Sequence, residues 1–262
     1  NRLEAKNRLL SHRYEELKVD QLAGRQVQKR MLPELQAQLG GIEFNYHIIP
    51  SLYLSGDFVD YFPITADKLV FYIADVSGHG ASSAFVTVLL KNLSSRLRRN
   101  LKRQSSDELL SPDKVITRIN KEMVDAKLGK HVSLFWGTID LPSKELSYSV
   151  AGQFPMPILH NEHGAHYLEG SSQPAGLFPD AQYETYTVNL GESFELMAVS
   201  DGILEVMPEM SIADKEQLLL SWVKNKQLNT ENLEALLNIE AGKEIPDDIT
   251  LLSLTWTQPL NS

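Results

Sequence analysis

The chain has 262 residues, 42% of them hydrophobic, a net charge of −9 and no cysteine. That is enough apolar chain for one large domain, or one domain with an appendage, and the missing cysteines exclude disulfides, thiolate metal sites and a cysteine nucleophile. The acidic balance argues against broad nucleic-acid binding, which needs surplus Lys and Arg; no apolar run approaches a membrane span and the start is not a signal peptide, so a cytoplasmic protein is expected.

The chain opens on Asn1 inside a charged helical pattern, as a fragment of something longer would. Leu3, Leu10, Leu17, Gly24 and Met31 recur every seven residues, with Asn7, Tyr14, Gln21 and Gln28 in the alternate slots. This 3-4 spacing is the seam of a two-helix coiled coil, although half of it is polar. It predicts a helix from Arg2 to about Gln38, stopped by Pro33 and Gly40-Gly41. The helix either packs on its own domain or, the reading adopted here, dimerises at its start and docks at its end. Residues 1–38 are thus a helical linker and 39–262 the folded domain.

After Gly41 short strands are expected at "IEFNYHIIP" and "DKLVFYIAD". Two helices follow: one from Gly80 over "GASSAFVTVLLKNLSSRLRRNL", one over "SPDKVITRINKEMVDAK" with Ser111 as N-cap and Pro112 in the first turn. The stretch Lys91–Arg103 carries six basic residues and no acid, which suits a solvated face or a dock for an acidic partner. From "HVSLFWGTIDL" the pattern is strand, turn, strand, and the short turns "LPSKE", "NEHG" and "LGES" predict hairpins. "DKEQLLLSWVKNK" and "NTENLEALLNIE" read as helices and "DDITLLSLTW" as a last strand. The fold class is α+β, with stacked antiparallel sheets and helices outside them. Trp136 and Trp222 lie in apolar patterns and belong to the core.

Four places share one design. "SLYLSGD" ends at Asp57, "LVFYIAD" at Asp75 and "FELMAVSDG" at Asp201, while "PDDITLLSLTW" starts from Asp247 and Asp248. Each sets an acid at the end of an apolar strand. A buried, unpaired Asp is costly. Two carboxylates about 4 Å apart repel by roughly 4 kcal/mol at an effective dielectric near 20. If the four converge, cations must neutralise them, and oxygen ligands without Cys or His call for Mg²⁺ or Mn²⁺. Two such ions suit phosphoester hydrolysis by metal-bound water, with no protein nucleophile.

"QVQKRMLP", "SGDFVDYF", "IADVSGHG", "FWGTID", "YSVAGQFPMPIL", "AVSDG" and "DDIT" follow the order of the metal-dependent (type 2C, PPM) protein phosphatases. From Gln26 to Trp256 the chain resembles their bacterial branch, which includes SpoIIE and RsbU. The resemblance implies an αββα sandwich and a Mn²⁺/Mg²⁺-dependent serine/threonine phosphatase. It implies metal ligation by Asp57, a bridging Asp75, the Val76 backbone carbonyl, Asp201 and Asp247, with Asp248 behind them. Gly78, His79, Gly80 and Gly202 then border the ions or the substrate. It further implies two Mn²⁺ or Mg²⁺ ions and a substrate that is a phosphorylated anti-sigma-factor antagonist of the STAS type. It suggests the output half of an RssB-like response regulator, with a receiver domain upstream; the homodimer through the N-terminal helix rests on the heptad seam. Ser55 replaces the family's first Gly of "GGD", Val150 and Gln153 alter "NAGH", and Ala175 alters "PLG"; these bear on loop geometry and rate.

The rivals are weaker. Gly78-His79-Gly80 opens a dinucleotide pattern, but Ser83 stands at its third glycine and the hairpins do not suit a parallel sheet. No G-x-S-x-G elbow supports a Ser-His-Asp triad. His79 is either a general acid or base, or a turn residue. The alternative to an enzyme is a phosphatase fold that serves as a partner-binding adaptor.

Overall fold

A strand buried on both faces reads as a continuous apolar run, because each alternate residue meets a different apolar layer. β4 (Lys68–Val76) has this property: Leu69, Phe71 and Ile73 enter one core, and Val70, Tyr72, Ala74 and Val76 enter another. The computed structural model describes residues 2–240 and 244–256, so the expected outer limits at 1 and 262 lie outside the described residues.

Two antiparallel sheets carry the chain. The first orders β1 (Gln36–Leu39), β2 (Ile42–Ile49), β11 (Ile249–Trp256), β10 (Phe194–Val199), β7 (Ile158–Asn161) and β8 (Gly164–Tyr167). The second orders β3 (Asp57–Pro63), β4, β5 (Val132–Asp140), β6 (Glu145–Ala151) and β9 (Tyr186–Asn189). Between them lies a core of Phe44, Tyr61, Phe71, Phe135, Leu196 and Leu252, among others. Outside the second sheet, Tyr72 and Trp136 stack at 4.6 Å under α2 (Ala81–Lys102) and α3 (Pro112–Ala126). Outside the first, Met197 and Leu251 pack with α4 (Gly202–Val206), α5 (Ile212–Lys224) and α6 (Leu233–Leu236), where Trp222 is half-buried. This is the expected α+β sandwich, helices outside two stacked sheets.

Four local expectations change. The N-terminal helix α1 (Arg2–Met31) ends before Pro33, and Gln36–Leu39 is an edge strand that turns back through Gly40 and Gly41. "LGES" makes no hairpin: β9 and β10 lie in different sheets, so this turn carries the chain across the sandwich. "SLYLS" is not a strand, and Asp57 opens β3 rather than closing a strand before it. Ser111 precedes α3, but its carbonyl, not its hydroxyl, engages the first turn by accepting from the Val115 N–H.

Along α1, Leu3, Leu10, Tyr14 and Leu17 are exposed, and the last third sits on the loop that leads into β3. Gly24 faces Leu54, whose Cδ2 would lie 3.3 Å from any added Cβ. Gln28 is buried and clasps Ser55 with its amide: Nε2 donates to the Ser55 carbonyl (2.6 Å) and Oε1 accepts from its N–H (3.1 Å). The basic run of α2 is partly used within the domain. Lys91 pairs with the buried Asp60 at 2.7 Å, Arg96 pairs with Glu122, and Arg98 covers the Phe62 ring at 4.9 Å. Among the described residues no helix is long and apolar enough to cross a membrane.

Candidate active site

Antiparallel pairing brings the four acids to one edge of the sandwich. Asp57 and Asp75 are direct partners at the end of the β3–β4 ladder, an arrangement in which like charges oppose folding. In the other sheet β10 ends beside the start of β11, with Val199 opposite Leu251. Asp201 therefore follows one strand and Asp247 precedes its neighbour at the same edge. The sheets are tied together there by hydroxyls. Ser200 Oγ and Thr250 Oγ1 both donate to Asp57 Oδ2, at 2.7 and 2.6 Å. The other oxygen, Oδ1, is buried and has no partner among the described residues.

The electrostatics follow from this crowding. Burial, then the charge of Asp75, pushes the Asp57 carboxyl well above its ordinary value, and the two hydroxyls only partly offset it. Asp75 is pushed up to about 8, first by burial, then by Asp201 and Asp247, with a further contribution from its hydrogen bond to Asp201. Asp247 is raised by burial, against the backbone N–H of Asp248 that favours its ionised form. Glu205, on α4, joins the cluster and is raised by burial and by Asp247 and Asp201. Among the described residues no group of three His, Asp or Glu side chains is closed tightly enough to grip an ion. The gathering is one of field and of edge, with Asp57 and Asp75 fixed by the ladder and Asp201 exposed.

Asp248 does different work. It is buried, and its carboxylate accepts four bonds from the loop before β3: from Ser51 N–H (2.6 Å) and Ser51 Oγ (2.8 Å) on Oδ1, and from Ser55 Oγ (3.0 Å) and Gly56 N–H (2.6 Å) on Oδ2. Ser55 Oγ in turn accepts from the Asp57 N–H at 3.0 Å. The serine that departs from the family's glycine is thus a link between two acids.

Backbone proximity explains two glycines and backbone conformation two more. A Cβ on Gly56 would lie 2.9 Å from the Val76 carbonyl oxygen, and one on Gly202 only 2.0 Å from the Asp248 carbonyl oxygen. Gly78 has a φ of 75°, in the left-handed region that favours glycine, and Gly80 follows it at 81°. His79 between them is exposed, and its charge favours the ionised form of Asp247. Gln153 ties the turn after β6 to the end of β10, donating to the Pro155 and Val199 carbonyls; Val150 is core and Ala175 is bridged to Val132. Ser200, Thr250, Glu205 and Lys130 do not stand out in the sequence, and Gln28 stands out only as a heptad slot. The first two lie inside quoted motifs, next to acids, while Lys130 has no local signal. Its Nζ donates to Ser77 O (2.8 Å) and Ser83 Oγ (3.2 Å) across the glycine turn.

A sandwich of this topology with acids at this edge defines the PPM, or type 2C, phosphatase class. Residues 65–257 match the family model of Stage II sporulation protein E (SpoIIE), and the chain belongs to that family, in its SpoIIE/RsbU branch. It is 26% identical over 221 residues to the phosphoserine phosphatase RsbP of Bacillus subtilis, covering 78% of this chain and 53% of that protein. The curated relatives it matches are longer, and the chain spans 40% and 53% of two of them. Its fold is that of the SiaA PP2C domain of Pseudomonas aeruginosa (TM-score 0.72, 18% identity, 93% of this chain and 98% of that one). It is also that of RsbX, solved in complex with magnesium (TM-score 0.62, 19% identity, 85% and 98%).

Proposed function

We propose that the chain is a Mn²⁺- or Mg²⁺-dependent protein-serine/threonine phosphatase domain. The observation that carries this is the buried, unpartnered Oδ1 of Asp57 set opposite Asp75, a costly pair unless a cation answers it. The donor set fits hard divalent ions, since every group is an oxygen. Asp57, a bridging Asp75, the Val76 carbonyl, Asp201 and Asp247 would hold two ions. When bound, these would acidify a water and draw charge from the phosphoryl oxygens. The chain's own groups position the rest. Ser200 and Thr250 fix the Asp57 carboxyl and keep Oδ1 free, while Asp201 and Asp247, exposed and half-buried, can swing onto an ion. Gly78 and Gly80 add no Cβ to the turn where a phosphoryl group would enter.

Asp201→Asn is expected to lower Mn²⁺-dependent turnover on the order of a hundredfold. Its melting temperature without metal should hold or rise, because the exposed side chain gives up a charge that crowds Asp75. Full turnover in this variant overturns the reading. Should the unaltered chain hydrolyse neither an aryl phosphate nor a phosphoserine protein when Mn²⁺ is added, the adaptor reading replaces it.

The finer reading places the domain in the cytoplasm as the output half of a response regulator with an upstream receiver. Its substrate is a phosphorylated anti-sigma-factor antagonist of the STAS type. The name of the relative RsbP, a phosphoserine phosphatase, supports a phosphoserine substrate; phosphoprotein profiling of a deletion strain checks its identity. We further read the exposed half-seam Leu3, Leu10, Tyr14 and Leu17 as a homodimer contact. Equilibrium sedimentation should show a dimer that Leu10→Glu with Leu17→Glu converts to monomer. Equal masses would remove this contact.

A further inference from the structure

We propose that Lys130 is a phosphate-binding residue, the cation that receives the substrate's phosphoryl group beside the acidic cluster. The proposal deepens the phosphatase reading and rests on it. With the ions answering Asp75, Asp201 and Asp247, a phosphomonoester at this edge still passes Glu205, an acid outside the proposed ligand set, and a positive group at the entrance favours its approach. Among the described residues two lysines border this edge. Lys215 donates to the Leu204 carbonyl at 2.6 Å, and Glu205 answers its charge. Lys130 differs: none of the ion pairs among the described residues includes it.

Its position is built rather than incidental. His131, the next residue, exchanges hydrogen bonds with Ser77: the His131 N–H donates to Ser77 Oγ (3.0 Å) and the Ser77 N–H to the His131 carbonyl (2.9 Å). Val132 is then bonded in both directions to Ala175. The lysine backbone is therefore clamped between the glycine turn and the Pro174–Gly176 loop. The half-buried side chain crosses the turn, and a Cβ on Gly78 would stand 3.0 Å from Nζ. An ammonium carries three N–H donors. Two are taken by the neutral acceptors Ser77 O and Ser83 Oγ, which fix the group without cancelling its charge. One donor and the full charge remain for an anion at the turn that follows Asp75.

The test compares Lys130→Met, which keeps the aliphatic stem, and Lys130→Arg with the unaltered chain. It uses a phosphoserine protein at saturating Mn²⁺ and, separately, calorimetric binding of inorganic phosphate to the Mn²⁺-loaded protein. In Lys130→Met the KM and the phosphate dissociation constant should both rise about tenfold, kcat changing little, and Arg should restore most of the loss. Unchanged KM with unchanged phosphate binding overturns the proposal. So does a loss that tracks a lowered melting temperature or weakened Mn²⁺ binding, since either assigns Lys130 to bracing the turn. If the unaltered chain has no Mn²⁺-dependent turnover, the phosphatase reading fails and calorimetry alone judges Lys130. Phosphate binding weakened in Lys130→Met then supports the proposal, and equal binding, or none in any protein, overturns it.

Discussion

Replacing Asp75 by Asn is expected to make the metal-free protein more stable while lowering turnover about a thousandfold. The two effects have one cause. Asp75 is opposed across the ladder by Asp57 and crowded by Asp201 and Asp247, and its carboxyl is pushed up to about 8. Its folded-state value therefore lies above the unfolded one. From about pH 4 to 8 the folded protein holds a proton that the unfolded chain has released, so stability falls as pH rises through this window and levels off above it. With screening at the partly exposed carboxyl allowed for, the cost at pH 8.5 is about 2–4 kcal/mol. Denaturant titrations in EDTA should show Asp75→Asn more stable at pH 8.5, the gap closing toward pH 4. Added Mn²⁺ should raise the midpoint of the unaltered chain and leave the variant where it was. If Asp75→Asn is the less stable protein at pH 8.5, the acids are not strained against one another and the site has another purpose.

The acids were legible in the sequence because each interrupts or borders an apolar run. A carboxylate beside "LVFYIA" has no bland explanation in a strand whose two faces are both core. That the four share an edge was an inference from the layered pattern, and antiparallel order makes it so: a strand start and its neighbour's end coincide. What the sequence left hidden depends on register and on distance along the chain. No local pattern reveals that Asp57 and Asp75 are exact cross-strand partners. Nor does one show that "LGES" leaves one sheet for the other, since a four-residue turn looks the same in either role. Gln28 reads as one more polar slot in a heptad, yet it clasps Ser55, 27 positions away. Ser55 itself looks like a lapse from a glycine motif and is instead a hydrogen-bonded link to Asp248 and to the Asp57 N–H.

Asp248 gives the sharpest contrast with its neighbour. The pair "DD" presents two adjacent carboxylates, but they face different tasks: Asp247 belongs to the crowded cluster, whereas Asp248 holds the Ser51–Gly56 loop by four hydrogen bonds. Because Gly56 precedes Asp57, Asp248 sets the distance between two acids that are 190 positions apart in the chain. Removing its carboxylate leaves the Gly56 and Ser51 N–H groups and the Ser55 hydroxyl without their acceptor. Each such group left buried costs about 1–3 kcal/mol. Asp248→Ala is therefore expected to lose about 3–5 kcal/mol of stability by denaturant unfolding, and most turnover with it. Asp248→Asn keeps the shape and one acceptor, so it should lose about half as much. Asp247→Asn should be as stable as the unaltered chain, or more so, because it relieves charge. Its turnover should still fall. Equal stabilities for Asp247→Asn and Asp248→Ala would mean that the loop is held by Gln28 alone, and that the two acids do not divide their work as this geometry requires.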